Sequence, residues 1–121
     1  MEKQSPAIPD SEKLVVVWSS GEREVALRTV LLYTYKSLTQ GWWQDVTLIV
    51  WGPSAKLLLE DSLVRNFLQK NIDSGVKVVA CKSCSDDYEA TDELTGMGIE
   101  VRYVGELTTK YIKSGRHVIT F

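Results

Sequence analysis

Both cysteines of the 121-residue chain lie in one C-x-x-C motif at residues 81–84. Cys81 closes an apolar run, and Cys84 comes just before a helix that we predict to begin near Asp86. The thiolate is the nucleophilic form of cysteine, and it is stabilised by the free N–H groups of a helix start and by a nearby cation such as Lys82. We therefore predict that Cys81 is a nucleophile, that Cys84 is a candidate resolving thiol, and that Lys82 helps to stabilise the thiolate.

Acidic residues in the following segment oppose this chemistry, because negative charge disfavours a thiolate. They are Asp86, Asp87, Glu89, Asp92 and Glu93. Three functional interpretations of the motif compete with the simpler one that both cysteines are small buried apolar residues. The functional ones are a dithiol–disulfide couple, a zinc site, and a sulfur carrier in which one thiolate holds a persulfide.

Two of these interpretations fit the rest of the chain poorly. A thioredoxin-like couple needs a cis-proline facing its cysteines, but all three prolines of this chain precede the motif. Structural zinc takes four ligands, whereas the chain offers two cysteines and the single histidine, His117. A zinc site would have to be shared between subunits, so we expect no metal.

Short apolar runs rich in β-branched residues predict the strands, because such runs are typical of strands buried on both faces of a parallel sheet. Three runs lie at residues 14–18, 46–51 and 76–81, and weaker candidates lie at 101–104 and 117–121. The helical patterns between them cover residues 22–40, 53–72 (with a kink), 86–95 and 106–113. The third of these is predicted to start with a capping box formed by Asp86 and Glu89 and to run to about residue 95. The alternation predicts a parallel sheet covered by helices on both faces.

Ligands bind to open parallel sheets at the carboxyl ends of the strands. The first three predicted strands end at Trp18, Trp51 and Cys81, so we predict a site formed by these residues and the loops after them. The other predicted contributors are Ser19, Ser20, Gly52 and Lys82. A serine of the first loop is expected to cap the following helix, and the loop lacks the glycine pattern of a nucleotide-binding loop.

The composition is that of an ordinary globular domain, with 44% hydrophobic and 25% charged residues. The net charge of −2 gives no indication of a nucleic-acid or membrane partner. The longest apolar runs, about six residues, are far shorter than the roughly 18 needed to span a bilayer. Residues 1–13 are polar and lack the apolar stretch of a signal peptide, so we expect a loosely ordered lead, a single domain at residues 14–121 and a cytoplasmic location.

Residues 14–121 resemble the DsrE-like proteins, which include DsrE, DsrF and the TusD-type sulfur-relay subunits. The resemblance is carried by residues 18–21, 50–52, 75–78, 79–81 with the strand-end cysteine, 98–101, 105–107 and 118–121. It implies a three-layer α/β/α domain with a five-stranded parallel sheet, assembled as a homo-oligomer, often a trimer or hexamer. It also implies that the cysteine after the third strand, which is Cys81 here, accepts sulfur as a persulfide, whereas Cys84 lies outside the relay pattern.

These observations favour a sulfur-relay or thiol-redox protein, a sulfurtransferase-like carrier that holds a persulfide on Cys81 and needs no cofactor. Its expected partners are sulfur donor and acceptor proteins. The alternative is a non-enzymatic oligomeric module that binds a small ligand or a partner protein at the same edge. A thiol that is alkylated well below about pH 8.5, the ordinary pKa of cysteine, would favour the carrier.

Overall fold

The structure, a computed structural model, describes residues 7–121. The strands are β1 (Lys13–Trp18), β2 (Asp45–Val50), β3 (Lys77–Cys81), β4 (Glu100–Arg102) and β5 (His117–Thr120). The helices are α1 (Arg23–Val25), α2 (Leu31–Thr39), α3 (Pro53–Glu60), α4 (Ser62–Asp73), α5 (Lys82–Asp87), α6 (Thr91–Gly96) and α7 (Val104–Lys113). A π-helical stretch (Ala26–Val30) joins α1 to α2, and a 3-10 turn (Asp10–Glu12) precedes β1.

The lead predicted at residues 1–13 lies partly outside the described residues, which begin at residue 7. In the part that is described, Asp10–Glu12 form the 3-10 turn and Lys13 is already the first residue of β1. Within residues 7–121, no helix is both long enough and apolar enough to cross a membrane.

The five strands form one parallel sheet in the order β4-β3-β2-β1-β5, which confirms the predicted five-stranded parallel sheet. The chain steps outward from β1 to β4, so each of the first three crossovers joins neighbouring strands. The fourth crossover, through α7, returns across the sheet and places β5 on the other side of β1. Because crossovers are right-handed, this reversal of direction puts α7 on the face opposite to the earlier helices.

Side chains of the inner strands enter two separate cores, because successive residues of a strand face opposite sides of the sheet. The larger core contains Val16 and Leu48 with side chains of α2, α3, α4 and α6. The smaller core contains Val15, Val79 and Cys81 with three side chains of α7. Burial of one large aliphatic side chain stabilises the fold by about 1.5–3 kcal/mol, so the two cores together stabilise the three-layer α/β/α architecture.

The helix after β3 begins earlier than the sequence predicts. α5 starts at Lys82, directly after the strand, so Cys84 lies in its first turn and not ahead of it. The predicted capping box is wrong, because Asp86 lies inside α5 and Glu89 has a left-handed backbone (φ 55°) between α5 and α6. The N-cap residue of α5 is Cys81, which makes no side-chain capping bond, so the sequence carries no capping signal at the true start.

The other helices lie close to their predicted positions. The pattern at residues 22–40 is a helix throughout Arg23–Thr39, and Pro53 is the first residue of α3 as predicted. The last helix begins at Val104 instead of residue 106, and the strand before it ends at Arg102 instead of residue 104.

Candidate functional site

The carboxyl ends of β1, β2 and β3 lie side by side, as the strand order requires. The amide of Trp51 donates to the carbonyl oxygen of Trp18 over 3.0 Å, and the amide of Ser54 donates to the carbonyl oxygen of Ser19 over 3.2 Å. These bonds connect the loop after β1 to the end of β2 and the start of α3. The predicted convergence of the three strand ends at one edge is therefore confirmed.

Gly52 directs the loop after β2 toward the cysteine motif. Its φ of 77° lies in the left-handed region, which glycine adopts without the strain that a side chain would bring. In this conformation its amide nitrogen donates a hydrogen bond to Sγ of Cys84 over 3.3 Å. The loop after one strand thus helps to position a thiol that follows the neighbouring strand.

The two thiols differ in exposure although they lie in one helical turn. Cys81 is 6% exposed and belongs to the smaller core together with Val79 and Val104. Cys84 is only partly buried and packs against the same core, and both cysteines are free thiols. The carbonyl oxygen of Cys81 accepts a hydrogen bond from the buried hydroxyl of Ser85 over 2.7 Å. Of the two residues, Cys84 is the more exposed.

The pKa of Cys84 is raised above the ordinary cysteine value. Burial is the largest cause, followed by the neighbouring Cys81 side chain, with the negative charge of Asp87 acting in the same direction. The hydrogen bond from the Gly52 amide lowers the pKa but is outweighed. At Cys84 the causes that raise the pKa therefore outweigh the local N–H group, a balance that the sequence alone leaves open.

The ammonium group of Lys82 is paired with a carboxylate on its own helix. Its Nζ atom lies 2.7 Å from Oδ2 of Asp86, one turn further along α5. The pair raises the pKa of Lys82 and lowers that of Asp86. Lys82 Nζ also lies 6.0 Å from the ring centroid of Tyr103. Since the carboxylate offsets its charge, Lys82 is a weak stabiliser of any thiolate at this edge.

The residues predicted from the first loop serve mainly to build the edge. The side chain of Trp18 is fully buried in the larger core, so it does not line an open site. The amide and hydroxyl of Ser19 both donate to the carbonyl oxygen of Phe121, at 2.8 and 3.1 Å. Ser20 Oγ accepts a hydrogen bond from the amide of Glu22. Glu22 is itself the N-cap residue of α1 and no side chain caps this helix, so the expected capping by a serine of the first loop is wrong. These contacts fix the loop between the chain terminus and α1.

Two residues at this edge escaped the sequence analysis. Tyr103 follows β4, is 62% exposed and lies beside Lys82. Like Trp51, it is an aromatic residue directly after a strand. The sequence predicts the fourth strand at residues 101–104, which places Tyr103 inside that strand and not after it. The sequence predicts Phe121 only as the end of the fifth strand, whereas its carbonyl oxygen accepts the hydrogen bond from Ser19.

The single histidine lies far from the cysteines. His117 pairs in register with Leu14 at the start of β1, so it lies at the amino edge of the sheet, whereas Cys81 lies at the carboxyl edge. Its ring packs on Trp43 with centroids 5.1 Å apart. In the part of the chain that the structure describes, no three His, Cys, Asp or Glu residues are grouped as a metal site requires. The zinc interpretation gains no support from these residues.

Comparison with protein-family models gives a match that includes all the residues of this edge. The model of the DsrE/DsrF-like family matches residues 12–121, which include every strand and the carboxyl edge. The chain belongs to the DsrE/DsrF-like family. Membership suggests a role in sulfur relay in general terms, and proteins of this DsrE-like family generally form oligomers.

Solved structures share the fold of this DsrE-like protein. BT1422, a conserved protein of unknown function from Bacteroides thetaiotaomicron, is 29% identical, with a TM-score of 0.87 over 91% of this chain and 95% of that chain. The ychN protein from E. coli is 20% identical, with a TM-score of 0.70 over 92% of this chain and 99% of that chain, and shows the fold alone. No curated protein is significantly similar to the chain.

Proposed function

We propose that this DsrE-like protein is a sulfur carrier that holds sulfur as a persulfide at the Cys81–Cys84 pair. The observation that carries the proposal is the presence of two free thiols in one helical turn at the carboxyl edge, one buried and one partly exposed. The hydrogen bond from Gly52 to Cys84 supports it, because it orients the sulfur of the more exposed cysteine from the loop after the neighbouring strand. The general association of the family with sulfur relay points in the same direction.

Two arguments assign the persulfide to different cysteines. The family resemblance assigns it to Cys81, the strand-end cysteine. Exposure favours Cys84 as the thiol that meets a donor, because Cys81 is only 6% exposed. We therefore propose that sulfur arrives at Cys84, and both cysteines are compared in the experiment below.

The proposed transfer uses only thiols and persulfides. The Cys84 thiolate attacks the terminal sulfur of a donor persulfide, a new S–S bond forms at Cys84, and the donor cysteine leaves as a thiolate. An acceptor thiol removes the terminal sulfur by the same kind of exchange. Because its pKa is raised, Cys84 is mostly protonated at neutral pH and must lose its proton before it attacks.

Intact-mass measurement after incubation with inorganic polysulfide tests this proposal. We expect Cys81→Ala to gain the mass of one sulfur atom on Cys84, and the native chain to gain it at early times. Cys84→Ser, whose hydroxyl can still accept the Gly52 hydrogen bond, should gain none. An adduct that persists in Cys84→Ser and disappears in Cys81→Ala would assign the persulfide to Cys81. If none of the three proteins gains sulfur, the carrier function is refuted.

The alternative function is that of a non-enzymatic oligomeric module that binds a small ligand or a partner protein at the same edge. The raised pKa of Cys84 and the pairing of Lys82 with Asp86 favour it, because both leave the thiol weakly activated. Alkylation separates the two functions. A carrier requires Cys84 to react in the folded protein, whereas a binding module is expected if both cysteines react only after unfolding.

We further propose that the protein works as a homo-oligomer, a trimer or a hexamer. Proteins of the family generally form oligomers, which supports this proposal. A groove between α2 and β5 supports it too, because it is lined by the exposed apolar side chains of Leu32, Trp42 and Ile119. Trp42→Glu should lower the molar mass measured by light scattering. Leu63→Glu is the matched control, since Leu63 and Trp42 are both 57% exposed. An unchanged mass in Trp42→Glu would exclude this groove, and a monomeric native chain would exclude the assembly.

A further inference from the structure

We propose that Cys81 is the resolving thiol of Cys84, so that the persulfide on Cys84 ends as an internal disulfide with release of hydrogen sulfide. This inference rests on the carrier function proposed above. It gives the carried sulfur a second fate, reductive release, besides transfer to an acceptor thiol. It also reverses the roles of nucleophile and resolving thiol that the sequence suggested.

The backbone places the two cysteines where a short adjustment brings their sulfur atoms into bonding distance. Cys81 is the N-cap residue of α5 and Cys84 is its third residue, and Cys84 packs against the cluster that contains Cys81, close enough for the two side chains to interact. Residues at this spacing have Cβ atoms about 5–6 Å apart in a regular helix, whereas a disulfide needs about 3.5–4.5 Å. Cys81 itself has an extended backbone (φ −66°, ψ 120°), so the two cysteines meet at the junction of strand and helix.

The difference in exposure assigns the two roles. A sulfur donor must reach the first thiol from outside, which suits the partly exposed Cys84. The resolving thiol needs to reach only Cys84, and Cys84 packs against the small apolar cluster that contains Cys81. Val79 and Val104 belong to the same cluster, and at 6% exposure Cys81 is shielded from external persulfides.

The step is balanced without an external oxidant. Cys81 loses its proton to solvent, and its sulfur attacks Sγ of the Cys84 persulfide to form the disulfide bond. The bond between Sγ and the terminal sulfur breaks, and the terminal sulfur leaves with the electron pair as hydrosulfide. The terminal sulfur is reduced to sulfide while the sulfur of Cys81 is oxidised to the disulfide level, at which Sγ of Cys84 already stands in the persulfide. A thiol reductant must then reduce the disulfide before the chain accepts sulfur again.

The experiment follows the fate of the loaded sulfur after the donor has been removed. The native chain, Cys81→Ala and Cys84→Ser are treated with inorganic polysulfide and desalted, and the sulfide released is then measured together with intact mass and free thiols. We expect the native chain to release one sulfide per chain, lose both free thiols and yield a peptide with a Cys81–Cys84 disulfide. Cys81→Ala should keep its persulfide and release none over the same time. Dithiothreitol should restore both thiols of the native chain and permit a second round.

The outcomes distinguish this inference from the carrier function. A persulfide that lives equally long in the native chain and in Cys81→Ala overturns the inference and leaves the carrier function intact. Release at the native rate from Cys81→Ala also overturns it, because another nucleophile then resolves the persulfide. Absence of sulfur uptake by all three proteins overturns the carrier function itself. Cys81→Ser, which keeps the side-chain size but supplies no thiol, should behave as Cys81→Ala does, and circular dichroism checks that both variants are folded.

Discussion

The amide nitrogen of Gly52 lies 3.3 Å from Sγ of Cys84, which links the end of β2 to the first turn of the helix that follows β3. The two residues are 32 positions apart in the sequence, and they meet because β2 and β3 are neighbours in the sheet. The C-x-x-C motif is therefore not an independent unit. The position of the Cys84 sulfur depends on the backbone of the adjacent loop.

Replacing Gly52 by alanine should destabilise the protein and disturb Cys84. Its backbone (φ 77°, ψ −141°) lies in a region that glycine adopts far more readily than other residues, and holding another residue in such a region costs about 1–3 kcal/mol. We expect the free energy of unfolding to fall by about that amount. We also expect the pKa of Cys84 to rise further, because a shift of the backbone weakens the hydrogen bond from the amide of residue 52 to Cys84 Sγ. Urea denaturation and the pH dependence of alkylation measure the two effects.

Gly96→Ala is the matched control for this substitution. Gly96 lies in α6, and an added Cβ atom there would meet nothing within 4 Å. Alanine should be neutral or stabilising at this position by up to about 1 kcal/mol, because it favours the helix over glycine. If Gly52→Ala unfolds at the same urea concentration as Gly96→Ala, the proposed backbone requirement at Gly52 is contradicted.

Much of the sheet was predictable from the sequence because its inner strands are buried on both faces. The runs predicted at residues 14–18, 46–51 and 76–81 agree with β1, β2 and β3 within one residue at each end. The edge strand β4 was placed less accurately, since Glu100 and Arg102 are exposed and give no apolar run. The strand order was not predictable, because a crossover helix such as α7 has the same pattern whichever edge of the sheet it leads to.

The location of the cysteine pair was predictable, but its electrostatics were not. Cys81 ends a buried strand, which already places it at the carboxyl edge. The pKa of Cys84 depends on its burial and on Gly52, a contact that no local pattern reveals. The start of α5 was predicted near Asp86, four residues after its true start at Lys82, and this error concealed the pairing of Lys82 with Asp86 along the helix.

Native Cys84 should react with iodoacetamide only at more alkaline pH than free cysteine, whose pKa is about 8.5, because burial raises the pKa of this thiol.

The raised pKa of Cys84 should also make the stability of the fold depend on pH. A pKa that is higher in the folded than in the unfolded state contributes stability that is fully present below the unfolded pKa and is lost as pH rises through the folded pKa. Cys84→Ser should therefore remove a decline in stability that begins near pH 8.5. Mass-resolved alkylation rates and urea denaturation across this range measure both effects. An alkylation rate of Cys84 that reaches half its maximum below pH 8.5 would contradict the prediction.

Asp61 should make the stability of the fold sensitive to acid. Its carboxylate caps α4 by accepting hydrogen bonds from the amides of Val64 and Leu63, at 3.1 and 3.0 Å, and it pairs with Arg23. The bond from Val64 is the largest cause that lowers the pKa of Asp61. A lowered pKa contributes stability that is present above the unfolded value of about 3.9 and is lost as pH falls through the folded value. Asp61→Asn keeps a capping oxygen but no charge, so its thermal midpoint should fall less steeply below pH 4.

The exposed acid Glu60 provides the control for Asp61, because it lies next to it in the sequence and pairs with Lys56 on the surface of α3. Glu60→Gln should leave the acid dependence of the thermal midpoint close to that of the native chain. Equal slopes below pH 4 for the native chain and Asp61→Asn would show that Asp61 does not contribute to the acid sensitivity.

Asp86 should determine how strongly the positive charge of Lys82 stabilises a thiolate at the cysteine pair. Asp86→Asn removes the carboxylate that now lies 2.7 Å from the Lys82 ammonium, and it removes a negative charge from the helix that carries Cys84. Both changes favour the Cys84 thiolate, so we expect a few-fold faster alkylation of Cys84 at neutral pH. Lys82→Ala in the native background should have the opposite effect and slow the alkylation of Cys84, because it leaves the Asp86 carboxylate unpaired. The double variant Lys82→Ala with Asp86→Asn separates the two causes. If it reacts as fast as Asp86→Asn, the loss of the carboxylate alone accounts for the faster alkylation. An unchanged rate in Asp86→Asn would show that the pair does not influence Cys84.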